Sequence, residues 1–154
     1  MIMALNKLFN DQAEDLRNSI LNKHNNLDMT ITRLLLFLGL KPHLFGTVYL
    51  RVAIKYCCTI TGNIAKINFG NEVYPFVANI CKTIPRRVER DIRTAIQCCY
   101  NNGGMEQLNA IVGYELISSK YPPTNSEFIM GIASWLRLEL ADLIEETVKV
   151  ERAE

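Results

Sequence analysis

Thr83–Tyr100 reads TIPRRVERDIRTAIQCCY, and its periodicity decides the fold class. Val88, Ile92, Ala95, Ile96 and Cys99 recur at the helical repeat and form one apolar stripe. Arg86, Arg90, Arg93 and Gln97 fall on the opposite face, with Arg87 and Thr94 on one flank and Glu89 on the other. Thr83 is expected to cap the start, and Pro85 suits the first turn, where a missing N–H costs nothing. Asn101, Asn102, Gly103 and Gly104 then stop the helix. The expectation is a helix buried on one side, with a crowded cationic outer face.

The crowding requires a cause. Lys82–Arg93 holds five cations (Lys82, Arg86, Arg87, Arg90 and Arg93) against Glu89 and Asp91. The four arginines repel one another unless something anionic lies over them. Phosphates and the acceptor edges of guanine meet that need. The plainer alternative is a solvated helix face, with Glu89 and Asp91 partly neutralising the arginines across neighbouring turns.

Upstream, Glu72–Cys81 is a shorter segment of helical period, with Val73, Phe76, Val77, Ile80 and Cys81 as its expected buried face. Pro75 is tolerated only near a helix start, which places that start at Val73 or Tyr74. Two short helices joined by a tight break at Lys82–Thr83, the second one cationic, form a helix-turn-helix pattern. The joint lacks the glycine often found there.

These residues also carry a family resemblance. The run YPFVANICKTIPRRVERDIRTAIQ at 74–97 is followed by GY at Gly113–Tyr114, PTNSEFI at Pro123–Ile129 and LRLE at Leu136–Glu139. Together they resemble the C-terminal DNA-binding effector domain of the stage 0 sporulation protein A family, the response regulators of endospore formation. Leu27–Arg51 resembles the start of the same domain, so the resemblance covers roughly Leu27 to Leu140. It implies an all-α fold, a compact bundle of about six or seven helices containing the helix-turn-helix. It also implies double-stranded DNA as partner, read as a homodimer.

By that resemblance Arg87 and Arg90 would bond guanine O6 and N7, and Glu89 would accept from a cytosine amino group. Arg93 would sit at bases or phosphates. Thr94 stands where the family has a histidine, and Arg86 where it has a serine. Lys82 and Thr83, at the entrance to the helix, complete the candidate DNA-binding set. The family meets the sigma subunit of RNA polymerase between the reading helix and GY. Here that stretch carries Asn102 in place of a basic residue, which weakens the implied contact.

The chain divides on this reading into three parts. Residues 1–26 form an extra amphipathic helix, 27–140 the effector domain, and 141–154 an acidic helical extension. In Ala4–His24 the residues Leu5, Leu8, Phe9, Ala13, Leu16 and Ile20 recur at helical spacing. They suit either packing on Leu34–Leu38 or pairing with a second copy, in place of the receiver domain that the family carries and for which the chain has no room. Asp28 is expected to cap Met29–Leu38, and Leu44–Thr61 to form a further helix with Leu44, Val48, Ala53 and Tyr56 among its apolar positions. About five extra residues around Ile67–Glu72 depart from the family, ahead of the motif. Gly104–Val112 is a short helix with Met105, Leu108 and Ile111 inward. Thr124 and Glu127 suggest a capping box that opens one long helix from Asn125 to about Val148, its end solvated.

Composition bounds the function classes. A chain of 154 residues, 49 % hydrophobic and 21 % charged, suits one globular domain. The net charge of +1 leaves any nucleic-acid affinity to a local patch. Cys57, Cys58, Cys81, Cys98 and Cys99 have no metal-ligand spacing and suit small core residues in a reducing cytoplasm. His24 and His43 are isolated, and no apolar run approaches a membrane span. With no phosphate loop, paired histidines or nucleophile elbow, no enzyme, cofactor or metal is expected. The competing class is a protein-interaction module that pairs with a full-length regulator or with polymerase without reading DNA itself.

Overall fold

The computed structural model describes residues 1–22 and 24–153. Phe9 of the first apolar stripe, as a side chain, and Glu154 of the acidic tail lie outside the described residues. Among the described residues there are eight α-helices and no strand, as the all-α expectation requires. In chain order they are α1 (Ile2–Ile20), α2 (Leu27–Phe37), α3 (Phe45–Thr59), α4 (Tyr74–Cys81), α5 (Pro85–Asn101), α6 (Gly104–Val112), α7 (Asn125–Glu139) and α8 (Ala141–Ala153).

The hub is α3. It packs against α2, α4, α5, α7 and α8. Leu50, Ala53, Ile54 and Cys57 of α3 are wholly buried, as are Phe128, Ile132 and Trp135 of α7 or nearly so. Burial on this scale contributes on the order of 1.5–3 kcal/mol for each large apolar side chain. The hub also sets how near α5 can come. Gly46 lies against α5, where an added Cβ would run into the Asp91 carbonyl oxygen and come within 2.8 Å of the Ala95 Cβ. The absent side chain lets the two backbones cross closely.

Several expected boundaries are displaced, each for a physical reason. Asn26, not Asp28, caps α2, its side chain accepting from the Met29 N–H at 2.8 Å. The Asp28 carboxylate instead accepts from Lys55 Nζ at 2.9 Å. Lys55 also reaches Glu151 at 3.0 Å, so one ammonium ties α2, α3 and α8. Leu44 precedes α3 as its cap residue and is 46 % exposed rather than inward. The long C-terminal helix breaks at Leu140 (φ −125°, ψ 35°). The bend lets Ile144 enter the core, with Leu143 and Val148 beside it, so the acidic end docks on the body. The break is also why the helices number eight.

Met105, Leu108 and Ile111 of α6 are buried as expected. Helix α1 meets the body mainly through α6, with lesser contact to α2. Among the described residues of its stripe, only Ile20 is buried; Leu5, Leu8 and Leu16 are exposed. That exposure leaves most of the described stripe off Leu34–Leu38.

Candidate nucleic-acid interface

The site is built on α4 and α5. Before α4 the segment unexpected from the family pattern folds into two short turns, a 3-10 turn at Ile64–Lys66 and a π-turn at Phe69–Val73. Asn63 and Asn68 cap them, accepting from the Ala65 and Asn71 N–H groups. The π-turn feeds directly into α4. Val73, Tyr74, Val77 and Ala78 are buried. Phe76 and Ile80, expected inside, are 39 % and 51 % exposed. Pro75 sits in the first turn, as the sequence requires.

The joint is made without glycine. Lys82 adopts the left-handed backbone (φ 55°, ψ 52°), and the Thr83 N–H donates to the Ala78 carbonyl at 2.9 Å. A non-glycine residue there costs about 1 kcal/mol or more, balanced by the contacts that fix the turn. Thr83 does not cap α5. The cap position belongs to Ile84 in extended conformation, which makes no side-chain cap bond, and Pro85 follows at the first helical residue. The Thr83 hydroxyl is buried with no hydrogen-bond partner among the described residues.

Helix α5 has the two faces that its sequence demands. Val88, Ile92, Ala95, Ile96 and Cys99 are buried against α3, α4, α6 and α7. Arg86, Arg87, Arg90, Arg93, Thr94 and Gln97 are exposed on the outside, with Lys82 exposed at the entrance. Glu89 pairs with Arg93 one turn on, carboxylate to guanidinium at 2.8 Å. Arg90 lies against the neighbouring Asp91 at 3.2 Å. Arg90 and Arg93 are each about two-thirds exposed (64 % and 65 %), so solvent screens both pairs and they hold the side chains only loosely. Among the described residues, Arg86 and Arg87 have no acidic partner within 4.0 Å. Internal neutralisation therefore accounts for half of the arginines. The Thr94 hydroxyl donates to the Arg90 carbonyl at 3.1 Å, which turns it toward its own helix.

One wall of the site was not evident in the charge pattern. The start of α7 approaches α5, leaving an open cleft of about 470 Å³ bordered by Glu89, Arg93, Gln97, Phe69, Thr124 and Ser126. Thr124 caps α7, accepting from the Glu127 N–H at 3.1 Å, so the forward half of the expected capping box is present. The signal for this wall in the sequence is PTNSEFI at 123–129, whose threonine and asparagine open α7.

No group of three or more His, Cys, Asp or Glu among the described residues is disposed to hold a metal ion. All five cysteines are free thiols. Burial pushes Cys57 and Cys58 up to about 12 and Cys99 up to about 11, so these thiols stay protonated. Among the described residues no helix is long and apolar enough to cross a membrane.

The family model described as the sporulation initiation factor Spo0A C terminal matches residues 31–136, more than half of the chain. The match starts inside α2 and ends inside α7, enclosing α3 to α6 and leaving α1 and α8 outside. It takes in the whole cationic face of α5. With a helix-turn-helix in place and that face turned outward, the chain belongs to the Spo0A C-terminal family of DNA-binding effector domains.

Proposed function

We propose that this chain is a sequence-specific, non-enzymatic regulator of transcription that lays α5 in the major groove of double-stranded DNA. The observation that carries the proposal is the outer face of α5. Four exposed arginines stand on a helix whose other side is anchored in the core, and two of them have no acidic partner among the described residues. In this reading Arg87 and Arg90 bond guanine, and Glu89 accepts from cytosine when its loose pair with Arg93 opens. Arg86, Arg93 and Lys82 meet phosphates, while Thr83 and Thr94 lie at the edges of the footprint. A cytoplasmic setting follows from that function.

One reading helix covers only a few base pairs, so useful selectivity needs two copies on adjacent half-sites. The exposed Leu5, Leu8 and Leu16 of α1 are the surface for that pairing. Contact with the sigma subunit of RNA polymerase would fall on Asn102–Val112, where the basic residue of the family pattern is missing.

The test is a titration of labelled promoter-like duplex at two salt concentrations. Binding that weakens steeply with salt, and saturates at lower protein concentration on one sequence than on random duplex, is the expected result. A chain that binds no duplex even at low salt is instead the receiver-less interaction module.

A further inference from the structure

Helix α7 begins where the two helices of the helix-turn-helix meet. Its first residue, Asn125, is only 8 % exposed and lies against both α4 and α5. The Asn125 Nδ2 donates to the Glu89 backbone carbonyl at 3.0 Å and to the Tyr74 hydroxyl oxygen at 3.1 Å. An amide nitrogen carries two hydrogens, so both bonds form at once. The Glu89 carbonyl already serves the α5 ladder and takes the amide on its second lone pair.

The partner on α4 is itself held. Phe69 of the π-turn meets the Tyr74 ring edge-on, with centroids 5.8 Å apart. The segment that lengthens this chain relative to the family pattern therefore braces the same junction. Around it, Val77 and Ala78 of α4 and Val88 and Ile92 of α5 are buried apolar side chains, and α4 packs on α5. Apolar packing is non-directional and tolerates a small rotation. Two hydrogen bonds at fixed length do not. The arrangement has a cost, since the Asn125 Oδ1 is buried with no partner among the described residues. An apolar residue would avoid that cost but could not tie α5 to α4.

We propose that Asn125 is a positioning residue for DNA reading: by tying the Glu89 carbonyl on α5 to the Tyr74 hydroxyl on α4, it sets the angle at which Arg87, Glu89 and Arg90 enter the groove. The inference rests on the DNA-reading function proposed above. Contacts to base edges need the reading side chains held to about half an ångström, so a loosened α5 loses discrimination before it loses charge-driven binding.

The experiment uses the full chain. The wild type first selects a preferred duplex from a randomised pool. Dissociation constants are then measured on that duplex and on random-sequence duplex of the same length, for wild type, Asn125→Ala and Tyr74→Phe. For Asn125→Ala the ratio of the two constants should fall by roughly threefold to tenfold, the size of the lost hydrogen bonds, with affinity for random duplex unchanged. Tyr74→Phe keeps the Glu89 bond and should lose less, in the same direction. A folded Asn125→Ala that keeps the wild-type ratio, or weakens on both duplexes by one common factor, overturns the proposal. Should Asn125→Ala not fold, Tyr74→Phe decides by the same ratio. A wild type that selects no sequence overturns the DNA reading itself, and the positioning role with it.

Discussion

Replacing Gly46 by alanine sets two effects against each other. Alanine favours a helix over glycine by up to about 1 kcal/mol, and less in a first turn, where Gly46 lies. Against that stands the α3–α5 crossing. The new Cβ meets the Asp91 carbonyl oxygen and lies 2.8 Å from the Ala95 Cβ. Neither atom can rotate away, because one is helix backbone and the other is fixed directly to it. The helices must part, and overpacking of this kind costs about 1–3 kcal/mol. The clash wins, leaving a net loss of about 1–2 kcal/mol, which for a chain of this size lowers Tm by about 2–8 °C. Thermal unfolding followed by far-UV circular dichroism reads this directly. A Gly46→Ala variant with a Tm equal to or above wild type would refute the close crossing.

The thiols give a second prediction: at pH 8 the exposed Cys98 reacts quickly with a thiol reagent, while Cys57, Cys58 and Cys99 wait for unfolding. Fast labelling of three or more sites would contradict the packing of α3 or of the inner face of α5. A third concerns Lys55. Burial alone would lower its pKa, but hydrogen bonds from its ammonium to Asp28 and Glu151 outweigh burial and raise it. A raised folded value means the ammonium stabilises fully below its ordinary value of 10.5 and loses this effect as pH climbs through the folded one. Lys55→Met should therefore cost about 1 kcal/mol at neutral pH, with the gap narrowing in denaturant titrations as pH rises above the ordinary lysine value of 10.5. A gap that widens there has the wrong sign. Fourth, removing residues 1–12, which leaves Arg17 and the buried Ile20 in place, should yield a folded monomer that binds paired half-sites more weakly. A wild type already monomeric at tens of micromolar would remove α1 as the pairing element.

The parts that local chemistry controls were legible in the sequence. Helix α5 came out with its buried stripe and outer face intact, because a proline start, a glycine stop and a regular apolar repeat all agree there. The Pro75 start of α4 was equally local. Its inward face was not: α4 turns Val73, Tyr74, Val77 and Ala78 into the core, and Phe76, at the edge of that face, meets the Tyr56 ring of α3 with centroids 4.5 Å apart. The Leu140 break carries no proline or glycine. It arises because Ile144 and the Glu151–Lys55 pair favour folding back, which is a tertiary effect. Asp28 looked like a cap for the same reason in reverse, since its preferred partner lies on another helix. Within the site, charge pattern located every arginine but gave no sign that Asn125 reaches Glu89 from a residue 36 positions away.

The most direct test of DNA reading is Arg90→Ala, measured on the selected duplex and on random duplex in the same buffer. Arg90 is exposed, and its only ion pair among the described residues is with the adjacent Asp91, so its removal leaves the fold intact. Losing a bidentate guanine contact should cost about 1–3 kcal/mol on the selected duplex and much less on random sequence. Equal losses on both duplexes would reduce Arg90 to a phosphate contact, and no loss on either would contradict the placement of α5 in the groove.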